Sequence, residues 1–469
     1  MKIFLVQLPT SHHGAGEKVY PLGLSRLSSL VPAEYTKKAL DMNLFPDPWL
    51  ELKKGIEYLR PDIVAFSLRN IDPLAGHMVS YLSSLKTAAA LVRKLADAFV
   101  ADALVSATRA SATRALPYTR ILVGGPAFSL FGTRLMEAVP DIDYGLVGEG
   151  ERAFPAIIGS CIDAGAVPGL LWRKDGVIHE NIPGPRISLD EIPPMDIVTF
   201  NPADYTKGNA YIAAVGIEGK RGCDLSCGYC VYPSLSGGRM RLRHPEKIVD
   251  EIECLNREHG ISLFHFTDAV VNRPVDHFEA LMEELIRRKL DVSWTGFFRE
   301  DTLDHRLAAL AKAAGLVAIY FSADSLTEHG LKLLGKRLSK QDILRAAKVT
   351  ADSHILTMCH FLLNLPGDGD VETIEAWEML DRLLEIHEGA ANLGAVIFNH
   401  VRLYPGAPLT KRLIRGGDIS TEIDLLYPFY HNPPRFSHLL HEMEAYCHCA
   451  GVFSRLKPAF HRVSNMENT

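Results

Sequence analysis

The sequence predicts an α/β protein made of two consecutive βα series. Three observations carry this. Short apolar runs of the kind buried on both faces of a parallel sheet recur along the chain, and amphipathic stretches of helical period separate them. A Pro-rich connection between about Gly169 and Tyr205 interrupts the alternation once. A length of 469 residues fits about two to four units, each with its own core.

In the first series the strand candidates are Lys2 to Leu8, Asp62 to Leu68, Ile121 to Gly125 and Tyr144 to Gly150. Helix candidates lie at Leu22 to Leu30, Trp49 to Leu59, Met78 to Val105 and Phe131 to Ala138. The expectation is a doubly wound, flavodoxin-like domain over residues 1–165. Ala88 to Arg114 is Ala/Arg-rich and reads either as one long helix or as an insertion. Residues 166–207 read as a linker, with proline clusters at Pro183 to Pro185 and Pro193 to Pro194 and a small hairpin turning at Asp175-Gly176.

Six strand candidates follow: Ala210 to Glu218, Leu263 to Asp268, Val292 to Phe298, Val317 to Asp324, Ile355 to Leu363 and Ala395 to Leu403. Helical patterns separate them at Ile248 to His259, His277 to Lys289, His305 to Ala314, Lys340 to Asp352 and Val371 to His387. Six such units fit a partial or full (β/α) barrel over residues 208–412, with functional groups at the C-terminal strand ends. Residues 413–469 read as a small helical cap or tail.

The composition is that of a globular enzyme, 47% hydrophobic and 23% charged. A net charge of −6 gives no global basic bias towards nucleic acid or an anionic membrane. No apolar run approaches the roughly 18 residues of a membrane span. The start, Met1 to Gly16, reads as a buried strand rather than a leader, so a cytoplasmic location is expected.

Three of the eight cysteines fall in "KRGCDLSCGYC", Lys220 to Cys230, on the loop after the first strand of the second series. Their Cys-x3-Cys-x2-Cys spacing lacks the second knuckle of a four-ligand zinc site. An iron-sulfur cube held by Cys223, Cys227 and Cys230 leaves one iron open to an outside ligand. Zinc and unrelated thiols are the alternatives. Tyr229 would wall the site, Gly228 would let the loop turn tightly, and Lys220 and Arg221 are placed to offset cluster charge. The C-terminal Cys447 and Cys449 flank a histidine on a helical stretch and read as incidental.

With the aromatic before its last cysteine, "CDLSCGYC" resembles the motif of the radical S-adenosylmethionine enzymes. In that family the three thiolates hold a [4Fe-4S] cluster whose open iron binds S-adenosylmethionine. "LPGDGDVETIE" (Leu365 to Glu375), "RLYPGAPL" (Arg402 to Leu409) and "SADSLTEHGLKLLGK" (Ser322 to Lys336) resemble later segments of the same barrel, with Asp324 where Glu is usual. The resemblance implies that Arg299, Ser322, Asp324 and the Leu363 to Gly367 backbone, including Pro366 and Gly367, contact S-adenosylmethionine.

The first domain resembles the cobalamin-binding domain that precedes the barrel in the cobalamin-dependent subclass. The matching segments are "YPLGLSRLSSL" (Tyr20 to Leu30), "LVGGPAFS" (Leu122 to Ser129) and "GLVGEGE" (Gly145 to Glu151). The resemblance implies cobalamin contacts at Ser67, Leu68, Arg69, Gly124, Gly125, Pro126, Gly148 and Glu149. "PTSHHGAG" has His12 and His13 but not the Asp-x-His-x-x-Gly loop that supplies a lower cobalt ligand. Arg69 is either a guanidinium beneath the corrin that discourages such coordination or a phosphate-binding or surface arginine.

Together these likenesses imply a methyltransferase acting through methylcobalamin on an unactivated carbon, or phosphorus, of a small-molecule or peptide-derived substrate in natural-product (antibiotic) biosynthesis. An indole carbon of tryptophan is one option. An electron donor such as ferredoxin or flavodoxin is the implied partner. His265 is a candidate iron ligand, base or S-adenosylmethionine contact, and Asp268 is the same or a helix cap. Glu300 and Tyr404 are acid/base candidates. The rival readings are a cobalamin-dependent cyclase or rearrangement enzyme and a non-catalytic metal-binding protein.

Overall fold

The computed structural model describes residues 1–10, 17–73, 79–106, 118–159, 162–206 and 212–454. His12, His13 and Cys161 lie outside these residues, as do the end of the Ala/Arg-rich stretch and the start of the strand expected at Ala210.

The first sheet is built on β1 (Lys2–Gln7), β2 (Thr36–Asp41), β3 (Ile63–Ser67), β4 (Arg120–Gly124) and β5 (Tyr144–Leu146). All five run parallel in the order β2-β1-β3-β4-β5, the flavodoxin-type winding. β1 and β3 are apolar and buried at nearly every position, as central parallel strands must be. β2 was not legible: "TKKALD" is half-exposed along its first four residues, because it lies at the sheet's edge. The helix Leu82–Ser106 confirms one long helix over the described part of the Ala-rich stretch.

The hairpin expected in a linker is not a separate unit. Its strands β6 (Leu170–Lys174) and β7 (Val177–Glu180) extend the first sheet antiparallel to β5, and Leu170 and Leu171 are fully buried there. Asp175 and Gly176 both take positive φ at its turn, as predicted.

The second sheet begins at β8 (Val215–Ile217), after which the short strands β9 (Lys220–Arg221) and β10 (Arg241–Leu242) form a hairpin around the cysteine loop. β11 (Leu263–Phe266), β12 (Ser293–Phe298), β13 (Leu316–Asp324), β14 (Leu356–Leu363) and β15 (Leu393–Arg402) continue it in parallel, so all six predicted strands are present. β16 (Tyr430–His431) closes the far edge antiparallel to β15. The sheet is open between β8 and β16, which makes it a partial barrel. Trp294 packs outward against Phe266 of β11, and both Trp294 and Phe298 pack against Phe278 of the helix Val275–Arg288, so the alternate residues His265, Thr295, Phe297 and Tyr320 face the concave side.

The C-terminal edges of the two sheets face one another, and buried charges join them. Asp72, just past β3, is fully buried and accepts from Arg402 Nε at the end of β15, at 2.9 Å. Arg26 of the helix Leu22–Ser28 is 1% exposed and pairs with Glu251 of the helix Pro245–His259 at 3.1 Å. Glu149 and Glu151, after β5, pair with Arg241 and Arg221 of the β9-β10 hairpin.

Gly125, at φ +103°, opens the helix Pro126–Ala138, and a Cβ there would lie 2.7 Å from the Leu68 carbonyl oxygen. Gly125→Ala is expected to cost about 2–4 kcal/mol, combining strain at positive φ with a backbone clash. A lowered urea midpoint would verify it.

Candidate active site

The cysteine loop is held from below by two buried charges. Asp268 accepts from the backbone N–H of Gly219 (2.8 Å) and of Lys220 (3.0 Å). The Lys220 ammonium donates to the carbonyls of Val271 and Arg273, each at 2.8 Å, and lies 3.8 Å from Asp268. Asp268 is therefore a strut of the loop and not an acid/base facing a chamber. Lys220 belongs to the same strut, and Arg221 is committed to Glu218, Glu149 and Glu151, so neither is left to balance cluster charge.

Above the strut, Cys223 N–H donates to Gly237 O (3.0 Å) and Gly228 N–H to Leu334 O (2.7 Å), while Gly228 O accepts from Leu409 N–H (2.7 Å). The three thiols are unpaired by disulfides. Burial pushes the Cys223 thiol up and that of Cys230 up to about 11, and each also feels Cys227. The Tyr232 N–H points at Cys230 Sγ, 3.4 Å away, the kind of contact that stabilises a cluster-bound sulfur. Among the described residues no three His, Cys, Asp or Glu side chains converge on a single ion. Three mutually interacting free thiols on one pinned loop fit a multinuclear cluster.

Tyr229 joins this loop to the barrel. Its hydroxyl donates to Asp324, which closes β13 in a left-handed conformation at φ +62°. Lys336 Nζ reaches the same oxygen at 2.6 Å, and His360 Nδ1 donates to the other at 3.0 Å. Asn399 then meets His360 Nε2 at 2.6 Å. Burial raises the Asp324 carboxyl, but Lys336 and His360 outweigh it and hold the group down to about 2. Both Asp324 oxygens thus have protein partners. Lys336, His360 and Asn399 were missed. Lys336 stands in a segment that had been singled out, and the inward alternation of β14 marks His360.

Arg299 is also redirected. It is buried, pairs with Asp301 at 3.0 Å and donates to the carbonyls of Lys336 and Arg337, bracing the turn that carries Lys336. Ser322 stays half-buried on the concave face, and its carbonyl accepts from Lys336. Pro366 and Gly367 lie in the turn after β14, where His329 Nε2 meets Pro366 O at 3.1 Å.

Glu300 follows β12 and is 2% exposed, and its Oε1 has no hydrogen-bond partner among the described residues. Burial pushes its carboxyl up to about 7 against the pull of Lys336. The fold therefore binds a proton that the unfolded chain releases near pH 4–5, and stability falls as pH rises through that range to about 7. Glu300→Gln should raise the urea midpoint of the metal-free protein at pH 8 and leave it little changed near pH 5.

His265 and Tyr404 are corrected by their neighbours. His265 Nδ1 lies 2.8 Å from Thr295 Oγ1, and its ring meets Phe297 and Tyr320 edge-on at centroid distances of 5.8 and 5.5 Å. It belongs to this cage and not to an ion-binding group with the cysteines. Tyr404 is packed between Phe131 of the first domain and the Arg402 guanidinium, and burial raises its phenol far above the usual range. It is an interface residue and not an acid/base. Cys447 is buried whereas His448 and Cys449 are exposed, so they form no common site.

The facing edge of the first sheet carries the other candidates. Ser67 and Leu68 end β3, and Leu68 is tied to Gly124 O and Ala127 N–H through its backbone. Arg69 is partly exposed at this edge and lies 3.8 Å from Glu17. A Cβ at Gly124 would meet only ordinary contacts, Pro126 is exposed, and Gly148 is exposed with open space about it. These glycines leave the backbone bare for a flat ligand. The Glu149 side chain is not available to such a ligand, being spent on Arg241 and Arg221. Beside it lies a cavity of about 250 Å³, lined by Ser129, Gly148, Arg152 and Arg186 from one side and Ser234 and Leu235 from the other.

Residues 217–380 match the family model of the radical SAM superfamily. The chain is 25% identical over 393 residues to an uncharacterized methyltransferase of Pyrococcus horikoshii, covering 82% of this chain and 79% of that protein. It is 22% identical over 462 residues to a tryptophan 2-C-methyltransferase of Streptomyces laurentii, covering 84% and 72%. Among solved structures it is similar to the radical S-adenosylmethionine methyltransferase TsrM from Kitasatospora setae. With tryptophan and a SAM analogue bound to TsrM, the TM-score is 0.73 at 19% identity, over 98% of this chain and 90% of that one. A second TsrM structure, with cobalamin and a [4Fe-4S] cluster bound, gives 0.68 at 20% identity, over 88% and 75%. The chain carries a radical SAM domain at residues 217–380, preceded by a flavodoxin-like sheet, and its overall fold is similar to that of TsrM.

Proposed function

We propose that this protein is a cobalamin- and S-adenosylmethionine-dependent methyltransferase acting on a carbon of a small-molecule substrate. One observation carries the reading: the C-terminal edges of the two sheets face each other, with the three-thiol loop on one and a glycine-bared edge on the other. Cys223, Cys227 and Cys230 would hold the [4Fe-4S] cluster, and Ser67 to Arg69, Gly124, Gly125 and Gly148 would seat cobalamin. When bound, the cluster supplies electrons and cobalamin supplies a carrier for methyl.

The chain's own residues do the positioning. Asp268 and Lys220 fix the loop, and Tyr229 locks its last turn to Asp324. Lys336 and His360 keep that carboxylate ionised, so Tyr229 retains its acceptor. The ion pairs of Glu149, Arg26 and Arg402 set the gap between the domains and limit water between them. A small electron-transfer protein of the ferredoxin or flavodoxin type would supply electrons. Tryptophan, the substrate in the TsrM structure's description, is the first compound to try.

The test is anaerobic reconstitution with iron, sulfide and cobalamin, followed by S-adenosylmethionine labelled in its methyl. Label passing to the corrinoid and then to a product is expected. A loaded protein that never methylates the corrinoid would sink the reading, whereas consumption of S-adenosylmethionine without label in the product would indicate cyclisation or rearrangement.

A further inference from the structure

The concave face of the barrel carries an aromatic cage that no cofactor role absorbs. His265 of β11, Phe297 of β12 and Tyr320 of β13 lie side by side, with centroid distances of 5.4 to 5.8 Å. Phe297 is 37% exposed, and His265, Tyr320 and Met358 are partly exposed on the same face. A phenyl ring left open at that level on a strand otherwise sealed by Trp294 and Phe298 is an unfilled apolar contact. On β11 to β13 the named concave positions His265, Thr295, Phe297, Tyr320 and Ser322 are uncharged up to Asp324, which is paired with Lys336. Burial holds His265 down to about 4, so its ring is neutral.

Thr295 is fully buried, and its hydroxyl lies 2.8 Å from His265 Nδ1 and also interacts with the Tyr320 phenol. The fully buried Thr295 hydroxyl must give its proton to an acceptor, and His265 Nδ1 is within reach as one. When Thr295 donates to Nδ1, the ring proton is on Nε2, which has no protein partner among the described residues.

We infer that this cage binds the substrate as a flat, uncharged aromatic ring and that His265 Nε2–H donates one hydrogen bond to an acceptor nitrogen or oxygen on it. The inference rests on the proposed methyltransferase function for its meaning, but binding can be measured without turnover. His265 and Phe297 are then specificity-determining residues.

Two flat probes of similar size separate the requirements: quinoline, which has a ring acceptor, and indole, whose nitrogen only donates. Binding to the full-length, metal-free protein is followed by calorimetry and by saturation-transfer NMR. Both probes are expected to bind at millimolar concentration or below, quinoline about fivefold tighter, the size of one net hydrogen bond. Phe297→Ala should weaken both about tenfold. His265→Leu should erase the preference while indole still binds, and His265→Gln, whose amide can donate from a similar place, should restore it.

If neither probe binds, or Phe297→Ala changes nothing, the cage is not a ring-binding site. If the wild type shows no preference for quinoline, or His265→Leu keeps it, the role given to His265 is wrong. Binding as expected in a protein that transfers no methyl would leave this inference standing and overturn the methyltransferase reading instead.

Discussion

Arg402→Leu is expected to lower stability by about 3–5 kcal/mol, the cost of taking the paired guanidinium away from a buried carboxylate. Asp72 is fully buried, and Arg402 is its cation, with the guanidinium also capping the carbonyls of Leu403 and Leu425. Because the pair bridges the two domains, the loss should appear as a lowered urea midpoint and as increased proteolysis between them. Asp72→Asn combined with Arg402→Leu also removes the carboxylate charge and should recover part of the loss. A double variant as unstable as the sum of the two single variants would show that the two side chains act independently.

Cys227→Ala should abolish the iron-sulfur cluster and with it all turnover. The thiol sits in the middle of the loop, whose backbone is fixed on either side by Gly237, Leu334 and Leu409. Reconstituted wild type is expected to carry about four irons per chain and visible charge-transfer absorption, and the variant close to none. The first domain should keep its fold, since one face of its sheet packs in a core cluster that contains no residue of the loop. A variant that retained the cluster and methyl transfer would place the metal elsewhere.

Much of this architecture was legible because it rests on local pattern. Continuous apolar runs marked β1, β3, β4 and β5 and all six parallel strands of the barrel, since such runs are what parallel strands packed under helices require. β2 escaped because an edge strand exposes one side and reads as charged. The hairpin β6-β7 was found, but its place in the first sheet was not, because sheet membership depends on what lies beside β5 in space. The thiol loop was legible from spacing alone.

Individual site roles were less legible. Asp268, Arg299, Asp324 and Glu149 are charged residues at strand ends, where the sequence suggests ligand contacts. In the folded chain each carboxylate or guanidinium is turned to a protein partner from a distant segment: Gly219 and Lys220, the Lys336 turn, His360, and Arg241. A buried charge must be matched, and the match comes from wherever the chain happens to pass. His265 shows the same limit, since its strand was predicted but its cage of Phe297 and Tyr320 depends on barrel register.

The sequence by itself determined the two βα series, the three-thiol loop after β8 and the glycines that end β4 and β5, because periodicity, spacing and backbone freedom are properties of neighbouring residues. Only the tertiary structure decided that the two sheet edges face one another, that the GEGE glutamates bind arginines of the other domain, and that His265 opens to the barrel's concave face. Those outcomes depend on side chains tens to hundreds of residues apart meeting in a low-dielectric interior, where each charge and each ring must find a partner.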